Sequence, residues 1–97
     1  SLGAVSDSVF EEVRMEALTV PLWSRAAGKT LGELSPARNH NVQIAGVRRG
    51  GIRVLNPSAQ ETMRAGDEVL VLGPPVNIEN FKAWVREKPD EVDAQAD

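Results

Sequence analysis

Apolar and polar residues alternate with a period of two in several short runs. In Met15-Glu16-Ala17-Leu18-Thr19-Val20, Leu18 and Val20 fall on one face and Ala17 and Thr19 on the other, and Pro21 ends the run. Val42 and Ile44 alternate with polar or small residues, and Val47 then falls on the opposite face. In "RRGGIRVL", Gly50-Gly51 supplies the positive φ of a hairpin turn, and Ile52 and Val54 share a face. Asn56-Pro57 stops that strand, because proline restricts the residue before it and has no N–H to donate. "SAQETMRAGD" reads as a connector with a turn at Ala65-Gly66-Asp67. "EVLVLG" carries Val69 and Val71 on one side and Leu70 and Leu72 on the other, so both of its faces are expected to be covered. Helical spacing replaces alternation after Gly73-Pro74-Pro75. Ile78, Phe81 and Val85 form one stripe bordered by Trp84, Asn77 is placed as N-cap, and Val76 and Phe81 as a hydrophobic staple. The expected core is Leu18, Val20, Leu31, Leu34, Val42, Ile44, Ile52, Val69, Val71, Phe81 and Val85. The order strand-helix-strand-strand-strand-helix predicts an α+β domain with a small, mostly antiparallel sheet.

The first helix lies in "AAGKTLGELS", where Gly28-Lys29-Thr30 has the ending of a phosphate-binding P-loop. Such a loop needs another glycine five positions before Gly28, and that position is Trp23, whose indole blocks the approach of backbone to phosphate. No buried strand leads into it either. A capping box explains the stretch: the Thr30 hydroxyl accepts from the N–H of Glu33, and the Glu33 carboxylate reaches back. Leu31 and Leu34 then share a helical face, and Pro36 stands at most one turn in. Ser8 and Glu11 have the spacing of a second capping box.

With 97 residues, 41% hydrophobic and 26% charged, the chain has the size and composition of one globular domain. A net charge of −3 argues against a broad nucleic-acid surface, so no nucleic-acid partner is expected. The absence of cysteine removes disulfides and thiolate metal sites. "EKPDEVDAQAD" is acidic and poor in large apolar side chains, which reads as a solvated tail over residues 89–97.

No convergent catalytic constellation is visible, and no enzymatic role is expected. His40, the only histidine, sits in a polar turn and reads as solvated. Glu11, Glu12 and Glu16 read as a solvated acidic edge, and no metal-ligand spacing occurs. Arg48, Arg49 and Arg53 cluster around the Gly50-Gly51 turn. They read either as a charged hairpin tip that discourages edge pairing or as an anion site, since guanidinium forks suit phosphate.

Over residues 14–87, "LTVPLWSRAAGKTLGEL", "VQIAGVRRGG" and "LNPSAQETMRAGDEVLVLGPPVNIENFKAWV" follow one another in an order that resembles the C-terminal lobe of the RCK family, the TrkA-C domain. The resemblance implies a cytoplasmic regulatory domain of a potassium channel, a potassium transporter or a cation/proton antiporter, attached to the membrane part of an inner-membrane protein. It places the RCK-C-like domain at residues 13–88, which leaves 1–12 as an N-terminal extension and 89–97 as the acidic tail outside it. It also implies a homodimer, in some members with a small ligand such as cyclic di-AMP between two copies. On that reading Arg49 contacts phosphate, with Arg48 as its substitute, Asn56 hydrogen-bonds nearby, and Pro57 gives an apolar wall. The nucleotide-binding N-terminal lobe is not part of the resemblance, since no G-x-G-x-x-G follows a strand here.

"ETMRAGDEVLVLG" also resembles the Gly-Asp strand of a PDZ domain, a peptide-binding interaction module. The helix after Thr30 separates the two readings: the RCK C-terminal lobe has it between the first and second strands, whereas a PDZ domain begins with consecutive strands.

Overall fold

The computed structural model describes residues 12–90. The Ser8–Glu11 capping box, most of the N-terminal extension and all but Pro89 and Asp90 of the acidic tail lie outside the described residues. The elements are β1 (Arg14–Thr19), α1 (Leu31–Leu34), α2 (Pro36–His40), β2 (Gln43–Arg49), β3 (Ile52–Leu55), β4 (Glu68–Gly73) and α3 (Pro75–Arg86). The strands form one sheet in the order β1-β4-β2-β3, antiparallel throughout. Helices follow Thr30 before the second strand begins, which is the RCK C-terminal arrangement and not that of a PDZ domain.

The Thr30–Glu33 capping box is present. Leu31 N–H and Gly32 N–H, donors that a helix start leaves unpaired, are taken by the carbonyls of Glu61 and Ala59, each at 2.9 Å. Gly28, at φ 86°, donates to Met63 O at 2.7 Å, and Met63 donates back to Lys29 O at 2.8 Å. The Gly-Lys-Thr stretch is therefore strapped along the connector between β3 and β4. Ser35, at φ 43°, ends α1, and Pro36 opens α2 where its missing N–H costs nothing.

One face of the sheet carries the core. Leu18, Ile44, Val47, Val69 and Val71 meet Leu31, Leu34, Ile78, Phe81 and Val85 from the helices, and Met63 from the connector. A Lys82–Glu16 pair at 2.6 Å joins α3 to β1. Val47 is buried on the same face as Ile44, not opposite it. The register between β2 and β4 slips between Ile44 and Gly46, so an extra residue, Ala45, rephases the strand. Leu34→Ala is expected to lower stability by about 2–3 kcal/mol, the low end for a buried leucine because a one-turn helix can settle into the gap. Urea unfolding checks this, and a change within about 0.5 kcal/mol would contradict the packing of α1.

Three further expectations need correction. Ile52 is not core: it is 71% exposed, because β3 is a short edge strand that the helices do not reach. The two faces of β4 are not both covered; Val69 and Val71 are buried, but Leu70 and Leu72 remain half-buried because every helix lies on the other side. Asn77 is not an N-cap. Pro75 fixes a helical φ at the first position, Pro74 is the cap, and Val76 is exposed, so no staple forms.

Candidate ligand cleft

The bulge in β2 lies beside a sharp change of direction after β3. Asn56 takes a left-handed conformation, φ 49°, and its N–H donates to the Ala45 carbonyl at 3.0 Å. Asparagine tolerates this conformation better than most side chains. The turn carries Asn56 and Pro57 to the rim of a cleft of about 460 Å³ between the α1–α2 pair and the start of β2. Leu31, Pro36, Val42 and Ile44 line it with apolar surface, and Ser35, Arg38, Gln43 and Asn56 bring polar groups. Arg38 is exposed, and among the described residues its guanidinium has no hydrogen-bond or ion-pair partner. Ser35 is turned inward to its own helix, its hydroxyl donating to Gly32 O at 2.8 Å. The cleft therefore combines an apolar floor, two side-chain amides and the Arg38 guanidinium.

Asn56 and Pro57 are thus brought together, but Arg48 and Arg49 do not line the same cleft. Arg49 grips Asp67 through Nε and Nη2, both at 2.7 Å, and donates to Thr62 O at 2.8 Å, with Glu61 at 3.6 Å. The Asp67 side chain is 1% exposed. Burial alone would push its pKa up, but the Arg49 hydrogen bonds, the Arg64 N–H at 2.9 Å and the two positive charges outweigh this and hold it below the ordinary value. Arg48 lies on the opposite sheet face, directly across from Arg53 on one side and Glu68 on the other. Its 2.8 Å pair with Glu68 offsets the like-charge neighbour.

His40 is not a solvated turn residue. It closes α2 and packs its ring against Phe81 and Trp84, with centroids at 5.1 and 5.0 Å. Arg25 covers Trp84 at 4.6 Å from the ring centre and is held by Glu87 at 2.7 Å and Asp90 at 3.4 Å. Burial, and secondarily the charge of Arg25, lowers the His40 pKa. No sequence pattern marks Arg38, because only the break at Ser35 sets its helical face. Pro36, one residue after a capped helix turn, was the available signal for that break.

The chain matches the TrkA-C domain family over residues 15–86 and belongs to that family. It is 35% identical over 57 residues to the Ktr system potassium uptake protein A of Vibrio alginolyticus, covering 59% of this chain and 26% of that protein. The chain thus spans about a quarter of the length of that curated relative. Among solved structures, the RCK_C domain dimer of S. agalactiae BusR in complex with c-di-AMP superposes with a TM-score of 0.69 at 20% identity, covering 73% of this chain and 93% of that one. The RCK C domain of the potassium transport protein KtrA, in complex with the same dinucleotide, superposes with a TM-score of 0.68 at 18% identity, covering 86% and 98%. At these identities the superpositions speak for the fold. Among the described residues no helix is long and apolar enough to cross a membrane.

Proposed function

We propose that the chain is a dimeric, ligand-sensing regulatory domain acting on the cytoplasmic side of a potassium or other cation transport system. The carrying observation is the cleft, where an apolar floor, the Asn56–Pro57 rim and the Arg38 guanidinium converge. The family membership and the dinucleotide bound to two structural neighbours support a cyclic dinucleotide as ligand. In this reading the base rests on Ile44 and Pro57, Asn56 hydrogen-bonds the ligand, and Arg38 meets a phosphate. Arg49 and Arg48 are the alternative phosphate contacts, reached only by exchanging Asp67 or Glu68 for the ligand.

Thermal unfolding with cyclic di-AMP tests this. Ligand at about 100 times its dissociation constant stabilises by roughly 2.7 kcal/mol, a rise of roughly 10 °C for a domain this size. Arg38→Ala and Asn56→Ala should each remove most of the rise. Retention in Arg38→Ala with loss in Arg49→Ala or Arg48→Ala would move the phosphate contact to the hairpin. No rise at millimolar ligand would exclude the dinucleotide.

The second element of the proposal is a twofold homodimer. Ile52, Val54 and Leu55 leave an exposed apolar edge on β3 that runs directly into the cleft rim at Asn56. A second copy that covers this edge brings two clefts toward one axis, where a ligand that is itself twofold can bridge them. Sedimentation equilibrium should show dimer at about 100 times a micromolar dissociation constant. Monomer alone at that concentration would contradict it.

A further inference from the structure

Helix α2 has two working sides. Pro36, Ala37 and Arg38 form one wall of the cleft, while Asn39 and His40 line a separate cavity on the far side with Arg25, Lys29, Glu33 and Trp84. The helix is bracketed by two non-glycine residues in the left-handed region, Ser35 at φ 43° and Asn41 at φ 54°. Serine adopts this conformation seldom and asparagine more readily, and the ends of an element are where hinges form. Between them α2 is held by the His40 ring against Phe81 and Trp84, and by the Asn39 amide donating to Leu34 O at 2.9 Å.

We propose that α2 is a hinged wall of the ligand cleft held in place by neutral His40, so that acidification releases α2 from Phe81 and Trp84 and weakens ligand binding. This rests on the ligand reading given above.

The charges around His40 set the direction. Arg25 and Lys29, from the loop before α1, and Glu33, from α1, line the same cavity as His40. Glu33 is committed to the capping box, its carboxylate bonded to both the N–H and the hydroxyl of Thr30 at 3.0 Å. Glu87 and Asp90, at the end of α3, are committed to Arg25. The α3 side chain lining this cavity is Trp84, and Arg25 already covers that ring. A proton on His40 therefore adds a cation beside Arg25, and among the described residues the carboxylates around this cavity are already committed elsewhere. A position that disfavours the protonated ring lowers its pKa, in agreement with the downward direction found for His40. Because the folded value lies below the ordinary 6.5, the docked state loses ground as pH falls below that value. A phosphodiester and an adenine ring keep their charge through this range, and His40 is the only histidine in the chain. Whether the change in affinity belongs to His40 is decided by its substitution.

Calorimetric titration of cyclic di-AMP at about pH 7.5 and about pH 5.5 provides the test. The intact chain is expected to lose affinity about fivefold or more at the lower pH. His40→Phe keeps a ring in the aromatic cluster and removes the titration. It should bind as the unsubstituted chain does at pH near 7.5 and show no loss at pH near 5.5. Should that variant not fold, His40→Gln is held to the same pH criterion. Equal affinity at both pH values in the intact chain, or an undiminished pH effect in the variant, overturns the proposal. If cyclic di-AMP binds at neither pH, the ligand reading fails and the hinge is judged separately by hydrogen exchange of the Asn39, Asn41 and Val42 amides, which are bonded across α2. Protection that falls about fivefold as the imidazole protonates, followed by its ring proton resonances, supports the hinge. Unchanged protection overturns it.

Discussion

Phe81→Ala is expected to lower the unfolding free energy by about 3–5 kcal/mol. The ring is fully buried at the middle of the α3 stripe, between Ile78 and Val85. Its removal opens a cavity that the rigid sheet beneath cannot close, and the lost transfer energy adds to the cavity term. The ring also meets His40 and lies parallel to Trp84 at 6.3 Å, so the change undocks α2 as well as thinning the core. Thermal unfolding should fall by about 15 °C or more. Phe81→Leu, which keeps most of the volume, should recover the greater part. A loss below about 1 kcal/mol for the alanine variant would mean that α3 does not pack on the sheet through this residue.

Arg49→Ala is expected to cost about 3 kcal/mol near neutral pH. The reason is the partner left behind. The Asp67 carboxylate is buried, and without Arg49 it keeps only the Arg64 N–H among its hydrogen bonds. The half-exposed guanidinium itself contributes little. The pH dependence separates this mechanism from simple loss of packing. With Arg49 in place, the folded pKa of Asp67 lies below its ordinary 3.8, so the stability it gives is complete above that value and lost as pH falls through the folded value. Without Arg49, burial dominates and the carboxyl takes up a proton more readily when folded. The penalty should therefore be largest near pH 7 and shrink as pH falls toward about 3. Urea unfolding over this range measures it, and a penalty that stays constant with pH would contradict the buried-charge account. The doubly substituted Arg49→Ala, Asp67→Ala chain should be more stable than Arg49→Ala alone.

The elements with strong local signals were legible in the sequence. Thr30 and Glu33 announced a capped helix, Gly50-Gly51 a hairpin, and Asn56-Pro57 a strand end, because each depends on neighbouring residues only. Val47 was misplaced because alternation assumes an unbroken ladder, and the slip at Ala45 depends on pairing with β4, which is 20 or more residues away. Ile52 was misplaced for a related reason. Strand alternation tells which side a residue takes, but whether a helix covers that side depends on the strand order, and β3 is last. His40 shows the same limit, since its partners Phe81 and Trp84 come from the other end of the chain. For the cleft, Asn56 and Pro57 stood out through their backbone chemistry. Arg38 did not, and the arginines that clustered in sequence were separated by the pleat, Arg48 to one sheet face and Arg49 to Asp67 at the other.

The extra residue at Ala45 gives β2 one position of slack in chain length. Between Ile44 and Gly46 the β2 strand advances by two while β4 advances by one. Removing Ala45 would leave Ile44 and Val47 two apart, the spacing of an unbroken ladder, so Val47 would stay in the core and Arg49 beside Asp67. What such a deletion takes away is the bend of the strand and the carbonyl that accepts the Asn56 N–H at the cleft rim. Loss of Arg48 has no such slack: it would make Arg49 the immediate neighbour of Val47 and turn it to the other face. A deletion scan along β2 should therefore find position 45 the mildest for stability, with its cost falling on the turn at Asn56, while an amino-acid scan passes it as unremarkable.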